Sequence, residues 1–77
     1  MKLDIISPEA TIYSGQAKLV TLPGVQGAFT ILEQHAPIIS PLNKGEVVYQ
    51  SDGEPVSLPV EGGFVEAKNN VVTVCIE

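Results

Sequence analysis

Seventy-seven residues make one domain, 1–77, and a chain this short buries only roughly 60–65% of the surface its unfolded form exposes. Nine acids stand against four lysines, at 2, 18, 44 and 68, with no arginine and a net charge of −5. That dispersed cation set excludes a protein that tracks nucleic-acid phosphates and argues against docking on an anionic lipid surface.

In chain order, Met1-Lys2-Leu3-Asp4 places an acid where the apolar core of a signal peptide would begin. No later apolar run approaches the roughly 20 residues that cross a bilayer, so any membrane association is expected through a partner. Gly or Pro then punctuates the chain so often that no ordinary amphipathic helix fits. Val and Ile make 17 of the 77 residues, which favours pleated structure. Nine or ten short strands are predicted, near Lys2–Ser7, Ala10–Tyr13, Gln16–Leu22, Gly27–Leu32, Ile38–Leu42, Glu46–Gln50, Val56–Val60, Gly63–Lys68 and Val71–Ile76. Turn signals every 8–12 residues between such strands suggest a sandwich or barrel.

The links carry their own chemistry. Ser14-Gly15 reads as a tight turn, with Gly15 taking positive φ. Pro23-Gly24-Val25-Gln26-Gly27 reads as a turn between two strands. It lacks the Lys-Ser/Thr and the following helix of a phosphate-binding loop. Asn43-Lys44-Gly45 and Ser51-Asp52-Gly53-Glu54 read as hairpin loops with glycine at the strained position. Glu61-Gly62-Gly63 is expected to be a turn or bulge where backbones approach. Asn69-Asn70 reads as a two-residue hairpin, because Asn enters left-handed conformations readily. Prolines 41, 55 and 59 belong at strand ends, bulges or edges, since proline cannot donate to a ladder.

Strand alternation assigns faces. Leu3 and Ile5 oppose Lys2, Asp4 and Ile6. Val47 and Tyr49 oppose Glu46, Val48 and Gln50. Val72, Val74 and Ile76 oppose Val71, Thr73 and Cys75. Left over are Ile6, Val48, one of Leu19 and Val20, and one of Phe64 and Val65. They are either scattered surface hydrophobes or a docking patch.

No catalytic constellation is present. His35 lies in a proline-bounded loop without a neighbouring nucleophile; with Glu33 it offers too few ligands for a metal site, and a loop-stabilising hydrogen bond suits it better. Cys75 is the only cysteine, so no internal disulfide or multi-cysteine metal site can form and a reducing compartment fits. Inside Val71-Val72-Thr73-Val74-Cys75-Ile76 its thiol reads as a small apolar group. No cofactor and no small-molecule substrate are expected. A rival reading is a lipoyl or biotinyl carrier domain, because Leu42–Val48 looks like a loop those domains carry. No lysine here, however, has the Met or Asp and Ala neighbours of their modified residue. A generic protein-interaction module is the other alternative.

The succession Pro23-Gly24-x-x-Gly27, Ile31-Leu32-x-x-His35-Ala36-Pro37, Leu42-x-x-Gly45, Gly62-Gly63-Phe64-Val65-Glu66 and Asn70-Val71-Val72-Thr73-Val74 resembles the epsilon subunit of F-type ATP synthases, called delta in mitochondria. The resemblance starts at Leu3-Asp4-Ile5-Ile6-Ser7-Pro8 and reaches Glu77. It implies an all-β flattened sandwich of two roughly five-stranded, mostly antiparallel sheets. It implies a non-catalytic part of the central stalk, at the cytoplasmic face of a bacterial inner membrane, coupling the gamma subunit and catalytic head to the membrane rotor ring. By the same resemblance, with the apolar residues left over from alternation, Ile6, Ser7, Ser40, Pro41 and Val48 are expected to contact gamma. Val25, Gln26, Ala28 and His35 are expected to contact the ring. Two departures stand out. Glu33 and Gln34 occupy positions where Pro, Gly or Asn precede the histidine in the family. These 77 residues also contain no counterpart of the two-helix C-terminal domain that restrains ATP hydrolysis in many relatives.

Overall fold

A computed structural model describes all residues, 1–77. The chain forms nine strands: β1 Lys2–Ile6, β2 Thr11–Gln16, β3 Leu19–Gly24, β4 Gly27–Leu32, β5 Ile38–Leu42, β6 Gly45–Gln50, β7 Val56–Val60, β8 Gly63–Lys68 and β9 Val71–Ile76. There is no helix. Strands β2-β1-β9-β8-β5 form one half-sheet and β4-β3-β6-β7 the other; the two are stitched at Gly24 opposite Leu42. Every pairing is antiparallel except β1 on β9. The expected all-β sandwich is therefore present, as one continuous sheet folded over on itself with β5 at the join.

The inner faces enclose a single core of 14 buried residues. Alternation predicts it well. Leu3, Ile5, Val47, Val72 and Val74 are essentially inaccessible, and Val20 and Val65 take the inner positions, leaving Leu19 and Phe64 outside. The Tyr13 and Tyr49 rings meet at 4.5 Å between centroids, bridging β2 of one half to β6 of the other. In all, 37 of the 44 backbone hydrogen bonds lie within strands.

Several links follow the turn chemistry read from the sequence. Asn69 and Asn70 take φ of 54° and 61°, the pair of left-handed residues a two-residue hairpin needs. Gly53 takes φ 100° in the β6–β7 loop. Val25-Gln26 joins β3 to β4, with the positive φ, 122°, on Gly27. Pro55 and Pro59 lie at the edge strand β7, and Pro41 on β5, whose other side is paired only at Leu42.

Two links differ from expectation. Ser14-Gly15 is not a turn but part of β2, paired with Asp4 and Leu3; the chain passes from one half to the other at Ala17-Lys18, where the Ala17 amide donates to the Met1 carbonyl and the Lys18 amide to the Gln50 carbonyl. Gly15 is there for space. A Cβ on it would lie 2.9 Å from the Tyr13 hydroxyl, which folds over the strand and donates to the Gln16 carbonyl at 2.9 Å. Likewise Asn43-Lys44-Gly45 is not a hairpin. β5 pairs with β8 while β6 pairs with β3 and β7, so this link carries the chain from one half to the other. Gly45 has no positive φ; a Cβ there would sit 2.8 Å from the Pro23 Cβ. Both glycines answer to a distant or folded-back neighbour rather than to local backbone geometry.

Candidate functional site

The registers translate strand alternation into rows across the outer surface. On the first half-sheet Ile6 is opposite Cys75, Cys75 opposite Phe64, and Phe64 opposite Pro41. These four side chains make an unbroken apolar row over β1, β9, β8 and β5. Phe64 is 48% exposed, while Ile6 and Cys75 are half-buried. One row along lie Asp4, Thr73, Glu66 and Ile39, the last 72% exposed. Beyond it come Lys2, Val71 and Lys68.

The residues expected at the gamma contact are divided by this geometry. Ile6 and Pro41 end the apolar row. Ser7 follows Ile6, but its hydroxyl is committed to a turn: it accepts from the Ala10 amide at 3.2 Å and donates to the Ala10 carbonyl at 3.2 Å. Ser40 is opposite Val65 and points the other way, into a groove of about 440 Å³ shared with Phe29, Ile38 and the β3–β4 hairpin. Val48 lies on the outer face of the other half-sheet, in a row with Thr30, Thr21 and Ser57. The Thr21 and Thr30 hydroxyls there are 2.8 Å apart.

The residues expected at the ring separate too. Val25, Gln26 and Ala28 sit together at the β3–β4 hairpin, with Val25 50% exposed. His35 lies beyond the other end of β4, some ~17 Å of strand away at roughly 3.4 Å per residue. Its loop is pinned from several sides. The His35 amide donates to the Leu32 carbonyl at 3.3 Å and its ring Nδ1 lies 2.7 Å from the Ala36 carbonyl oxygen. Gln34, at φ 62°, donates its amide to Asn70 Oδ1 at 2.9 Å. Glu33 takes the α-ammonium of Met1 at 2.9 Å. A loop that begins Glu-Gln instead of with small or rigid residues is thus held by partners on the β8–β9 hairpin and at β1.

Charge is distributed without a focus. Lys2 is 3.1 Å from Asp4, Lys18 2.9 Å from Asp52, and Lys44 3.9 Å from Glu61. Lys44 also lies on the link between half-sheets rather than at a hairpin tip, where a carrier lysine belongs. Hydrogen bonds from Ser14 and Lys2 hold the Asp4 carboxyl below its ordinary range, and the bond to Asp52 raises the Lys18 ammonium. No cluster of three His, Cys, Asp or Glu side chains is placed to hold a metal ion. What the surface offers is rows and loops for contact.

Over residues 1–77 the sequence matches the family described as ATP synthase, Delta/Epsilon chain, beta-sandwich domain. The chain belongs to this family. It is 47% identical over its whole length to an ATP synthase epsilon chain of Methylococcus capsulatus, and 42% identical to that of Lawsonia intracellularis. It covers 56% and 58% of those proteins, so it spans little more than half the length of the curated relatives it matches. The fold is also that of a chain in the Euglena gracilis mitochondrial ATP synthase, TM-score 0.90 at 18% identity over 96% of this chain and 48% of that one. A chain in the central stalk and c-ring assembly from Tetrahymena thermophila gives TM-score 0.85 at 13% identity, over 97% of this chain and 61% of that one. At these identities the likeness is one of fold alone.

Two members of the apolar row, Phe64 and Cys75, stand outside the expected contact set. Alternation from buried Val65 and Val74 places each on the outer face. Their juxtaposition with Ile6 and Pro41 depends on inter-strand register, which no local pattern reveals.

Proposed function

We propose that this epsilon-type sandwich is a non-catalytic rotor component of the central stalk of an F-type ATP synthase. In this reading it joins the gamma subunit to the membrane rotor ring at the cytoplasmic face of a bacterial inner membrane and couples proton flow to ATP synthesis. The carrying observation is the family match across all 77 residues, in a chain whose fold is that of chains in two mitochondrial synthases. The geometry is suited to the task. A coupling element must resist shear, and a sheet stitched across both halves around one core does so. Of the residues expected at gamma, Ile6 and Pro41 on the apolar row and Ser7 beside it are the proposed gamma contacts, whereas Ser40 opens on the hairpin groove and Val48 lies on the other half-sheet. The proposed ring contacts are Val25, Gln26 and Ala28 at the hairpin tip and His35 in its pinned loop. Small polar contacts at the ring would orient the rotor, while apolar anchors toward gamma would carry most of the affinity.

The test is purification of the detergent-solubilised synthase through an affinity tag on another subunit, followed by cross-linking. In a Cys75→Ser background, Gln26→Cys or Ala28→Cys should cross-link to the polar loops of the ring. Loss of this chain from the complex, with the remaining subunits intact, would overturn the reading. Cross-links to gamma alone would relocate the ring contact.

A further inference from the structure

A sheet that does not close on itself has edges, and an unguarded edge pairs with another strand. Most edges of this sheet are guarded. β7 carries Pro59, with Pro55 just before it, and proline interrupts a ladder. The free side of β5 carries Pro41. On β2, Met1 and Ala17 exchange both backbone bonds, so alternation turns Ser14 and Gln16 to the free side. The Gln16 carbonyl there is capped by the Tyr13 hydroxyl at 2.9 Å. β4 has no such guard: its six residues, Gly27–Leu32, include neither proline nor charge. We infer that β4 is a self-pairing edge, through which two copies of this chain join antiparallel about a two-fold axis at Phe29.

Hydrogen-bond phase sets the register. The Asn43 amide donates to the Pro23 carbonyl at 2.7 Å, so Pro23 turns its carbonyl away from β4. Ala28, opposite Pro23, therefore points its N–H and C=O outward, and alternation makes Thr30 do the same. Antiparallel pairing then sets Ala28 against Thr30 of the second copy, and Thr30 against Ala28 of the second copy, with bonds exchanged both ways in each pair. Phe29 falls opposite Phe29 of the second copy at a non-hydrogen-bonded site, where aromatic rings pack well across strands. Phe29 is half-buried beside the groove of about 440 Å³ that it shares with Ile38 and Ser40, which leaves space for the second ring. Charge agrees with this occupant. Glu33 falls opposite Val25 of the second copy in this register, and its carboxylate is already held by the Met1 ammonium at 2.9 Å. No like charges meet along the seam, although each copy carries −5. A charged partner segment, by contrast, finds no counter-charge on β4 or in the groove. Val25, Gln26 and Ala28 are also the proposed ring contacts, so the paired and ring-bound states exclude each other, and pairing belongs to the chain before assembly.

The experiment is sedimentation equilibrium of the 77-residue chain from about 10 μM to about 1 mM, at low and high salt. A reductant is present throughout, so that Cys75 forms no disulfide between copies. Amide deuterium exchange is read at both ends of the concentration range. A monomer–dimer equilibrium is expected within that range, tightened by salt because the two acidic copies repel at long range. The Ala28 and Thr30 amides should exchange about threefold or more slowly at the higher concentration. Thr30→Pro removes an outward N–H that no strand of this chain uses, and should weaken pairing about tenfold or more. Ser14→Pro makes the same change on the guarded β2 edge and should stay within about twofold of wild type. Melting curves of both variants are compared first. If Thr30→Pro is unfolded, the concentration-dependent protection of Ala28 and Thr30 in the unmutated chain decides instead. A monomer throughout the range overturns the proposal. So does a dimer that salt dissolves, or one that Ser14→Pro breaks and Thr30→Pro leaves intact.

Discussion

Gly63 is where the fold is least tolerant of an added atom. It takes φ 138°, and a Cβ built on it collides with the Cys75 carbonyl oxygen across the β8–β9 ladder. Gly63→Ala therefore carries two costs. Holding an L-residue in that conformation costs about 1–3 kcal/mol. Displacing a backbone carbonyl that is itself part of the sheet adds about 1–3 kcal/mol, as for other forced overlaps. Together they come to about 4 kcal/mol. At roughly 0.05–0.15 kcal/mol per residue, a chain of 77 residues has about 4–12 kcal/mol of stability in all. Gly53 is the matched control: its φ is 100°, but nothing lies within 4 Å of its Cβ position, so Gly53→Ala should cost only the conformational part. With a urea slope near 1 kcal/mol/M for so small a domain, the Gly63→Ala midpoint should fall about 1–3 M below that of Gly53→Ala. Circular dichroism in urea at 25 °C measures both. Equal midpoints would show that the β8–β9 end relaxes freely, and the steric reasoning would be wrong. The position bears on the surface as well, because a shift there moves Phe64 against Cys75.

The His35 loop offers a second test: Asn70→Gly keeps a residue able to adopt φ 61° but removes the acceptor for the Gln34 amide, so that amide should exchange with deuterium about tenfold faster while the melting curve changes little. Asp4 offers a third, because Ser14→Ala deletes the largest influence lowering its carboxyl pKa, which should rise in an NMR titration. The sign follows from linkage: a depressed folded-state pKa contributes stability above about pH 4 that is lost as pH falls through the folded value, so the mutant should lose stability at neutral pH and converge on wild type in acid. The difference should stay below about 1 kcal/mol, since the pair is near the surface. Finally, calorimetric titration of these 77 residues with MgATP should give no saturable heat up to about 1 mM, because the lysines are dispersed and no helix N-terminus is present to hold phosphate. A dissociation constant below that would reveal an anion site the lysine positions do not suggest.

What the residues by themselves determined was local. Valine alternation in Val71–Ile76 named the buried Val72 and Val74 because one strand has only two faces. The Asn69-Asn70 pair and Gly53 announced their turns because positive φ is a property of the residue and its immediate backbone. The family was legible because short motifs kept their order. Tertiary structure decided everything that depends on two distant segments meeting. Ser14-Gly15 looked like a turn because glycine has two uses, and only the position of the Tyr13 ring shows that here it supplies space. Asn43–Gly45 looked like a hairpin because β5 and β6 are neighbours in sequence, yet each pairs elsewhere. The contact residues divided for the same reason. Ile6 and Val48 are equally apolar leftovers of alternation, but strand order places them on different half-sheets, and register alone aligns Ile6 with Cys75, Phe64 and Pro41. Alternation is a property of one strand, whereas a surface row is made by hydrogen-bond registers between strands, here linking segments as far apart as β1 and β9.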